Sequence, residues 1–116
     1  MGWFSTSSSK FNWNLITDEN IFQDLVKLSF SEKVLVFKHS TKCSISTMSK
    51  NRLESIGENS RIKKCYLLDL IKYRSISSKI ESDFSVKHES PQILIVENGE
   101  CIYNASHNDI SWDNIP

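Results

Sequence analysis

An unbroken apolar run, Val34–Phe37, constrains the fold more than any other feature, since the charged residues Lys33 and Lys38 flank it. Four consecutive apolar residues leave no polar face, which is typical of a strand buried on both sides in a parallel sheet. The polar stretch His39–Lys42 follows, and Cys43 then begins a segment with helical spacing. The run therefore predicts a central strand that is covered on both faces.

Helical patterns occupy three segments around that run. The first follows a candidate strand at residues 12–16 and has Thr17 or Asp18 as its N-cap. The second begins just after the apolar run and ends near Gly57, a residue suited to a C-terminal cap. The third has Ser75 as its predicted N-cap. The predicted buried faces are Ile21, Phe22, Leu25 and Leu28 in the first helix, Ile45, Met48, Leu53 and Ile56 in the second, and Ile76, Ile80 and Phe84 in the third.

Extended patterns alternate with these helices. Asn98 and Gly99 form a dipeptide typical of a tight hairpin turn. The further predicted strands are Tyr66–Leu70, Gln92–Val96 and Cys101–Tyr103, and a last helix is expected near Asn108–Ser111. The resulting order resembles that of a thioredoxin-like fold. We therefore predict an α/β protein whose central mixed sheet of about five strands has helices on both faces.

The length and charge of the chain limit the classes of protein to which it can belong. A chain of 116 residues suits one core. We expect residues 1–10, which include the serine-rich stretch Ser5–Ser9, to be a mobile lead-in to a single domain at 11–116. Equal numbers of basic and acidic side chains, 14 of each, argue against nucleic-acid and anionic-membrane partners.

Nothing in the sequence predicts insertion into a membrane. No segment approaches the roughly 18 consecutive apolar residues of a membrane span. The N-terminus lacks a basic start followed by an apolar stretch, so we expect a cytoplasmic protein without a secretory signal. Met1 and Gly2, with Thr6, match the myristoylation pattern only loosely.

Cys43 is the candidate nucleophile. Unpaired backbone N–H groups and the helix dipole stabilise a thiolate at a helix N-terminus. Lys42 adds a neighbouring cation, and Thr41 and Ser46 can donate hydrogen bonds. The alternative is a buried and inert cysteine, because free cysteine is among the most buried residue types.

No second thiol is predicted to reach Cys43. Ser46 stands where a Cys-x-x-Cys pair has its resolving cysteine, and a hydroxyl cannot expel a disulfide-bound client at neutral pH. Cys65 and Cys101 begin strands at the opposite edge of the predicted sheet, roughly 17 Å away. A disulfide needs Cα atoms within about 7 Å. Both are predicted to be small core residues, and three dispersed thiols do not suit a zinc site.

Three stretches resemble the monothiol bacilliredoxins, the YtxJ-like proteins of the bacillithiol system. They are FKHSTKCSIS at 37–46, LLDLIKYRSIS at 67–77 and VKHESPQILIVENGECIYNASHNDI at 86–110. The resemblance covers the chain from about Trp13 onward. It implies disulfide exchange through Cys43 with bacillithiol, a small thiol that some bacteria use in place of glutathione. Ser44 departs from the version of the family that has proline after the cysteine.

The resemblance also implies partners and further site residues. Bacillithiol would be the thiol co-substrate, with no metal, and the partners would be S-bacillithiolated client proteins and a disulfide reductase. The Ser90–Pro91 bond is expected to be cis, with the backbone of Ser90 pairing with substrate. From their positions at the same sheet edge, His39 and His88 could polarise the exchange, move a proton or bind a carboxylate of bacillithiol. The alternative is that each is a hydrogen-bonded polar side chain without a direct role. Lys87 and Lys42 could bind the two carboxylates of the malate portion of bacillithiol. His107 is expected to be structural.

Two other functions remain open at this point. A non-catalytic thioredoxin-like module could bind partners, with Cys43 sensing oxidant. An iron–sulfur carrier of the monothiol glutaredoxin type could share a cluster between two chains through Cys43, although the glycine-containing motif of those proteins is absent.

Overall fold

A five-stranded mixed sheet organises the fold. The structure is a computed structural model that describes residues 11–116, so the expected lead-in and the myristoylation pattern lie outside the described residues. The elements are β1 (Asn14–Leu15), α1 (Glu19–Leu28), β2 (Val34–His39), α2 (Ser44–Glu54), β3 (Lys64–Asp69), α3 (Arg74–Phe84), β4 (Gln92–Glu97) and β5 (Glu100–Ser106).

The strands lie in the order β1-β3-β2-β4-β5. β3 pairs in parallel with both β1 and β2, whereas β4 pairs antiparallel with β2 and with β5. The predicted hairpin is confirmed: Asn98 and Gly99 have φ angles of 54° and 77°, as a two-residue turn of this kind requires. The predicted α/β class and mixed sheet are confirmed as well.

The central strand is longer than the apolar run that predicted it. All of β2 is buried, and it extends two residues beyond Phe37 to include Lys38 and His39. Asp18 is the N-cap of α1, where its carboxylate accepts a hydrogen bond from the Ile21 N–H. One of the two predicted caps is therefore the observed one.

Helices cover both faces of the sheet, as predicted. One face packs against α2 and the C-terminal segment in a core formed by Phe11, Leu35, Phe37, Leu53, Ile62, Cys65, Ile93, Ile95, Ala105, Ile110, Trp112 and Ile115. The other face packs against α1 and α3 in a core formed by Ile16, Phe22, Leu25, Val34, Val36, Leu68, Ile76, Ile80, Leu94 and Val96. Because alternate residues of β2 point to opposite faces, this strand contributes to both cores.

The predicted buried face of α2 is half right: Leu53 is buried and Ile56 packs against the core, but the other two residues are not buried. Ile45 and Met48 are exposed, at 46% and 60% of their surface, whereas Ser46 and Ser49 are buried beside Leu53. Serine can be buried here because its hydroxyl finds polar partners, and its small volume lets the helix lie close to the sheet. The helix ends at Glu54, three residues before the predicted cap. Gly57 does have a positive φ angle, 63°, but it is the first residue of a 3-10 turn that follows the helix.

Two other predicted boundaries differ from the structure. The N-cap of α3 is Tyr73 and not Ser75, because Asp69 directs the preceding turn by accepting from the N–H groups of Ile71 and Lys72. No α-helix follows β5 within the described chain. Its place is taken by two 3-10 turns, His107–Asp109 and Trp112–Asn114.

Hydrogen bonds from α2 and from Trp112 hold the C-terminal segment, residues 107–115, against this helix in a conformation that is not α-helical. The Trp112 indole N–H donates to the Leu53 carbonyl at 2.9 Å, and the Arg52 guanidinium donates to the Ile110 carbonyl at 2.9 Å. The side chains that the segment buries, at positions 110, 112 and 115, do not have helical spacing.

Candidate active site

One edge of the sheet brings the predicted site residues together. His39, the last residue of β2, pairs with Asp69, the last residue of β3. Lys38 pairs with Gln92, the first residue of β4. The segment that leads to Cys43 therefore leaves the sheet at the same edge at which the chain enters β4.

Cys43 is the N-cap residue of α2, with an extended backbone at φ −116° and ψ 120°. Its N–H donates to the Ser40 carbonyl at 3.2 Å, and its carbonyl accepts from the Thr47 N–H at 3.1 Å. Its side chain is partly exposed. The thiol thus lies at the positive end of a helix dipole, where an anion is stabilised and partners have access.

Ser46 supports the loop that precedes Cys43. Its hydroxyl is fully buried, lies 2.6 Å from Nδ1 of His39 and accepts a hydrogen bond from the Ser40 N–H at 3.0 Å. The arrangement that satisfies all three groups has the Ser46 O–H donating to Nδ1, which leaves the His39 proton on Nε2. Ser46, in the first turn of α2, therefore links the helix by hydrogen bonds to the end of β2 and to the loop before Cys43.

His39 is a buried aromatic residue of the site. Its ring stacks on that of Phe37 with centroids 5.6 Å apart. Burial lowers the pKa of His39, as does the positive charge of Lys50, while Asp69 and Glu54 oppose them more weakly. Burial and the nearby cation therefore favour the neutral form of the imidazole. Lys42 and Thr41, in contrast, are exposed beside Cys43.

The segment at 87–91 carries the other predicted site residues. The Ser90–Pro91 peptide bond is cis, as predicted, and Pro91 is buried. Lys87 and His88 are exposed, and Ser90 is partly exposed. Burial and the charge of Lys38 lower the pKa of His88, against the opposing effects of Glu81 and Glu89.

Gln92 holds this segment in place, a role that the sequence reasoning missed. Its side-chain amide donates to the Lys87 carbonyl at 3.0 Å and accepts from the Glu89 N–H at 3.3 Å. Glu81 adds a third bond by accepting from the His88 N–H at 2.9 Å. A polar residue at the first position of an otherwise apolar strand was the only signal for this contact.

Lys38 is the second residue that was missed. Its side chain is fully buried, and no group within residues 11–116 forms a hydrogen bond with its Nζ atom. Burial lowers the pKa of Lys38 to about 8, although Glu81 and Glu89 act in the opposite direction. The sequence contained a signal, because this lysine directly continues a run of buried strand residues.

The other two cysteines lie at the opposite edge of the sheet, as predicted. Cys65 pairs with Leu35 near the start of β2, and Cys101 pairs with Val96 at the end of β4. All three cysteines are free. Cys65 is buried, and burial raises its pKa to about 12. Cys101 is only partly buried, so its prediction as a core residue holds in part.

Residues 11–116 contain neither a cluster suited to a metal ion nor a helix suited to span a membrane. Within residues 11–116 no group of three or more His, Cys, Asp or Glu side chains is arranged to hold a metal ion. No helix in the same residues is long and apolar enough to cross a membrane.

A cysteine at the helix N-terminus that follows the central strand and a cis-proline at the same sheet edge define a class, the thioredoxin-fold thiol–disulfide oxidoreductases. Solved structures agree. A candidate oxidoreductase with a thioredoxin fold is 28% identical, with a TM-score of 0.77 and coverage of 86% of this chain and 87% of that one. Mitochondrial thioredoxin 3 from Saccharomyces cerevisiae is 17% identical, with a TM-score of 0.68 and coverage of 87% of each chain, and shows the fold alone.

Thioredoxin from Trypanosoma brucei brucei has the same fold at 14% identity, with a TM-score of 0.67 and coverage of 86% of this chain and 82% of that one. The family assignment is more specific. The family model described as Monothiol bacilliredoxin BrxC matches residues 14–115. This chain belongs to the monothiol bacilliredoxin family, as its sequence motifs predicted.

Proposed function

We propose that this protein removes bacillithiol from mixed disulfides on client proteins, with Cys43 as the only exchanging thiol. One observation carries the proposal: Cys43 is partly exposed at the N-terminus of α2, while Cys65 and Cys101 lie at the far edge of the sheet. Ser46, at the resolving position, holds the loop through His39 and Ser40.

The proposed reaction has two exchanges. The Cys43 thiolate attacks the bacillithiol sulfur of a client mixed disulfide, forming one S–S bond as the client S–S bond breaks. The client leaves as a thiolate and takes a proton from solvent. A second bacillithiol, as its thiolate, then attacks the same bacillithiol sulfur and releases bacillithiol disulfide and the Cys43 thiolate. A partner disulfide reductase is the alternative donor for the second step.

Other residues have proposed roles in that reaction. The backbone of Ser90 pairs with the extended substrate beside Cys43. The buried imidazole of His39 acts through its bond to Ser46 by fixing the loop that carries the thiol. His88 faces solvent at the same edge, and Lys42 and Lys87 supply exposed cations for substrate carboxylates. Thr41 supports the loop beside the thiol.

The proposed setting follows from the family. The co-substrate is bacillithiol, the partners are S-bacillithiolated client proteins, and the compartment is the bacterial cytoplasm, where thiols are kept reduced. No resident metal is required by the exchange.

A client peptide loaded with bacillithiol tests the proposal. With free bacillithiol present, the protein should release the peptide thiol from this mixed disulfide. The release should be faster than from a mixed disulfide of the same peptide with glutathione. Cys43→Ser should lose this activity, whereas the matched variant Cys65→Ser should keep it. Equal release by Cys43→Ser would contradict the proposal. Reversible oxidation of Cys43 without any release of the peptide would favour the non-catalytic sensing module.

A further inference from the structure

The turn after β5 joins the cis-proline segment to α2. His107 begins this turn, and its N–H donates to the carbonyl of Pro91 at 3.2 Å. This bond continues the pairing of β4 with β5 by one residue, because Gln92 pairs with Ser106. The His107 carbonyl accepts a hydrogen bond from the Ser49 hydroxyl of α2 at 3.4 Å. The backbone of one residue therefore links the helix that carries the thiol to the cis-proline.

The backbone of His107 is left-handed, with a φ angle of 56°. This region is uncommon for residues other than glycine, because the Cβ atom crowds the backbone there. Such a conformation persists only where the surrounding contacts hold it. The hydrogen bonds to Pro91 and Ser49 are contacts of that kind. The imidazole is exposed, so the turn is held through the backbone of His107 and not by packing of its side chain.

Ser49 belongs to the buried face of α2. Only 1% of its surface is exposed, and Ser46, one turn earlier, is buried on the same face. A buried hydroxyl needs a hydrogen-bond partner, which the His107 carbonyl supplies. Ser49 lies less than two helical turns after Cys43. Because a helix moves as a rigid unit over so short a distance, the contact at Ser49 also places the thiol.

Two further bonds attach the rest of the C-terminal segment to the same helix. Arg52 donates to the carbonyl of Ile110, and the Trp112 indole donates to the carbonyl of Leu53, each at 2.9 Å. Both contacts lie toward the C-terminal end of α2. Loss of the Ser49 bond should therefore leave the segment attached and loosen only its first turn.

We infer that Ser49 and the left-handed turn at His107 are positioning residues of the exchange, which together hold the cis-Pro91 segment in place relative to Cys43. The inference rests on the proposed function, in which the backbone of Ser90 holds the substrate. The attacking sulfur must meet the substrate disulfide within a narrow range of distances and angles, so a small displacement of either element slows the reaction.

Ser49→Ala tests the contribution of the hydroxyl. It should lower kcat/KM for release of a bacillithiolated peptide about fivefold, the effect of one lost hydrogen bond between uncharged groups. Alkylation of Cys43 by iodoacetamide, followed by mass spectrometry, should keep its rate, because this small reagent needs no alignment by the cis-proline segment. Ser55→Ala is the matched control. The Ser55 hydroxyl donates to the Arg52 carbonyl at an exposed site near the end of the same helix, so both rates should equal those of the wild type.

Two substitutions of His107 separate the effects of its backbone and its side chain. His107→Val should lower peptide release about as much as Ser49→Ala, because a β-branched residue strongly disfavours a positive φ angle. His107→Gly adopts that angle without strain and keeps both backbone hydrogen bonds, so it should release peptide several times faster than His107→Val. The double variant with Ser49→Ala and His107→Val should be little slower than either single variant, since both changes break the same link.

The possible failures can be told apart. Wild-type release by both Ser49→Ala and His107→Val, each shown to be folded by thermal unfolding, would contradict the inference and leave the proposed function standing. Equally slow release by His107→Gly and His107→Val would assign the effect to the imidazole and overturn the inference. So would a matching loss of Cys43 alkylation in Ser49→Ala, because the effect would then lie in the thiol itself. If the wild-type protein releases no peptide, the proposed function fails and the inference fails with it.

Discussion

Ser46 occupies the position at which a dithiol exchange protein has its second cysteine, and it has a structural task there. It joins Nδ1 of His39 to the N–H of Ser40 inside the protein. A buried polar group that loses its partner typically costs about 1–3 kcal/mol. The side chain at this position therefore stabilises the loop before Cys43, and it would leave the proposed mixed disulfide at Cys43 without an internal attacker.

Ser46→Cys should convert the protein to a dithiol. Side chains three residues apart on a helix have Cβ atoms about 5–6 Å apart, which small adjustments can bring within disulfide reach. Bacillithiol bound to Cys43 should then be expelled and an internal disulfide should form, as followed by intact mass. Ser46→Ala is the control, since it loses the same hydrogen bonds but adds no thiol. A bacillithiol adduct as long-lived in Ser46→Cys as in Ser46→Ala would show that position 46 cannot reach Cys43.

Lys38→Met should stabilise the folded protein below pH 8. Burial lowers the pKa of Lys38 from 10.5 to about 8, so the unfolded chain binds the proton more tightly. At roughly 1.4 kcal/mol per pKa unit, this implies a destabilisation on the order of 3 kcal/mol that methionine removes. Between pH 8 and 10.5 the Lys38 amine is deprotonated in the folded protein but still protonated in the unfolded chain, so the wild type gains stability as the pH rises. The difference in unfolding free energy between Lys38→Met and the wild type should therefore shrink over this range.

Urea unfolding of both proteins at about pH 7 and about pH 10 tests whether Lys38→Met is the more stable protein and whether its advantage falls as the pH rises. Lys27→Met, at an exposed position of α1, is the control and should show little difference at either pH. A Lys38→Met protein that is less stable than the wild type at neutral pH would mean that the amine has a stabilising partner in solution.

At the scale of elements, the segment 87–89 is positioned by side chains on its neighbours. Gln92 forms two hydrogen bonds with it, and Glu81 of α3 forms a third. These bonds fix the backbone that leads to the cis Ser90–Pro91 bond and also shape one wall of a cavity of about 180 Å³ beside His88.

Gln92→Leu should loosen this segment. The Lys87 carbonyl and the Glu89 N–H would lose their partners, so the amides of residues 87–90 should exchange with deuterium faster. We expect the KM for a bacillithiolated peptide to rise severalfold, with a loss of about 1–3 kcal/mol in unfolding free energy. The control is Gln23→Leu at an exposed site of α1. Unchanged deuterium exchange in Gln92→Leu would argue that other contacts hold the segment.

Elements with a strong local signal were predictable from the sequence. The apolar run identified β2, and Asn98-Gly99 identified the hairpin. The face of α2 was only partly predictable from hydrophobicity, because Ser46 and Ser49 are buried through hydrogen bonds to residues outside the helix, while Ile45 and Met48 face outward. Likewise, the C-terminal turns depend on hydrogen bonds to α2 that no local pattern encodes.

For the whole molecule, the sheet separates the three thiols. Parallel pairing of β2 and β3 fixes Cys65 at the edge opposite Cys43, and the hairpin returns Cys101 to that same far edge. This arrangement was predictable because it follows from topology alone. The cavity beside His88 was not, since it depends on how α3 lies against the sheet.

The variant with both Cys65→Ala and Cys101→Ala should therefore keep full exchange activity. Its thermal stability should fall modestly, because Cys65 is fully packed in the core and alanine is smaller. Peptide release from bacillithiolated substrate provides the measurement. A large loss of release in a folded double variant would reveal a second participating thiol.

Intact-mass spectrometry after a single encounter with bacillithiol disulfide tests the central claim most directly. The wild-type protein should gain one bacillithiol, located at Cys43, and the adduct should persist until free bacillithiol is added. Cys43→Ser should gain none. An internal disulfide in the wild type, or an adduct at Cys65 or Cys101, would contradict the account of a single thiol at the N-terminus of α2.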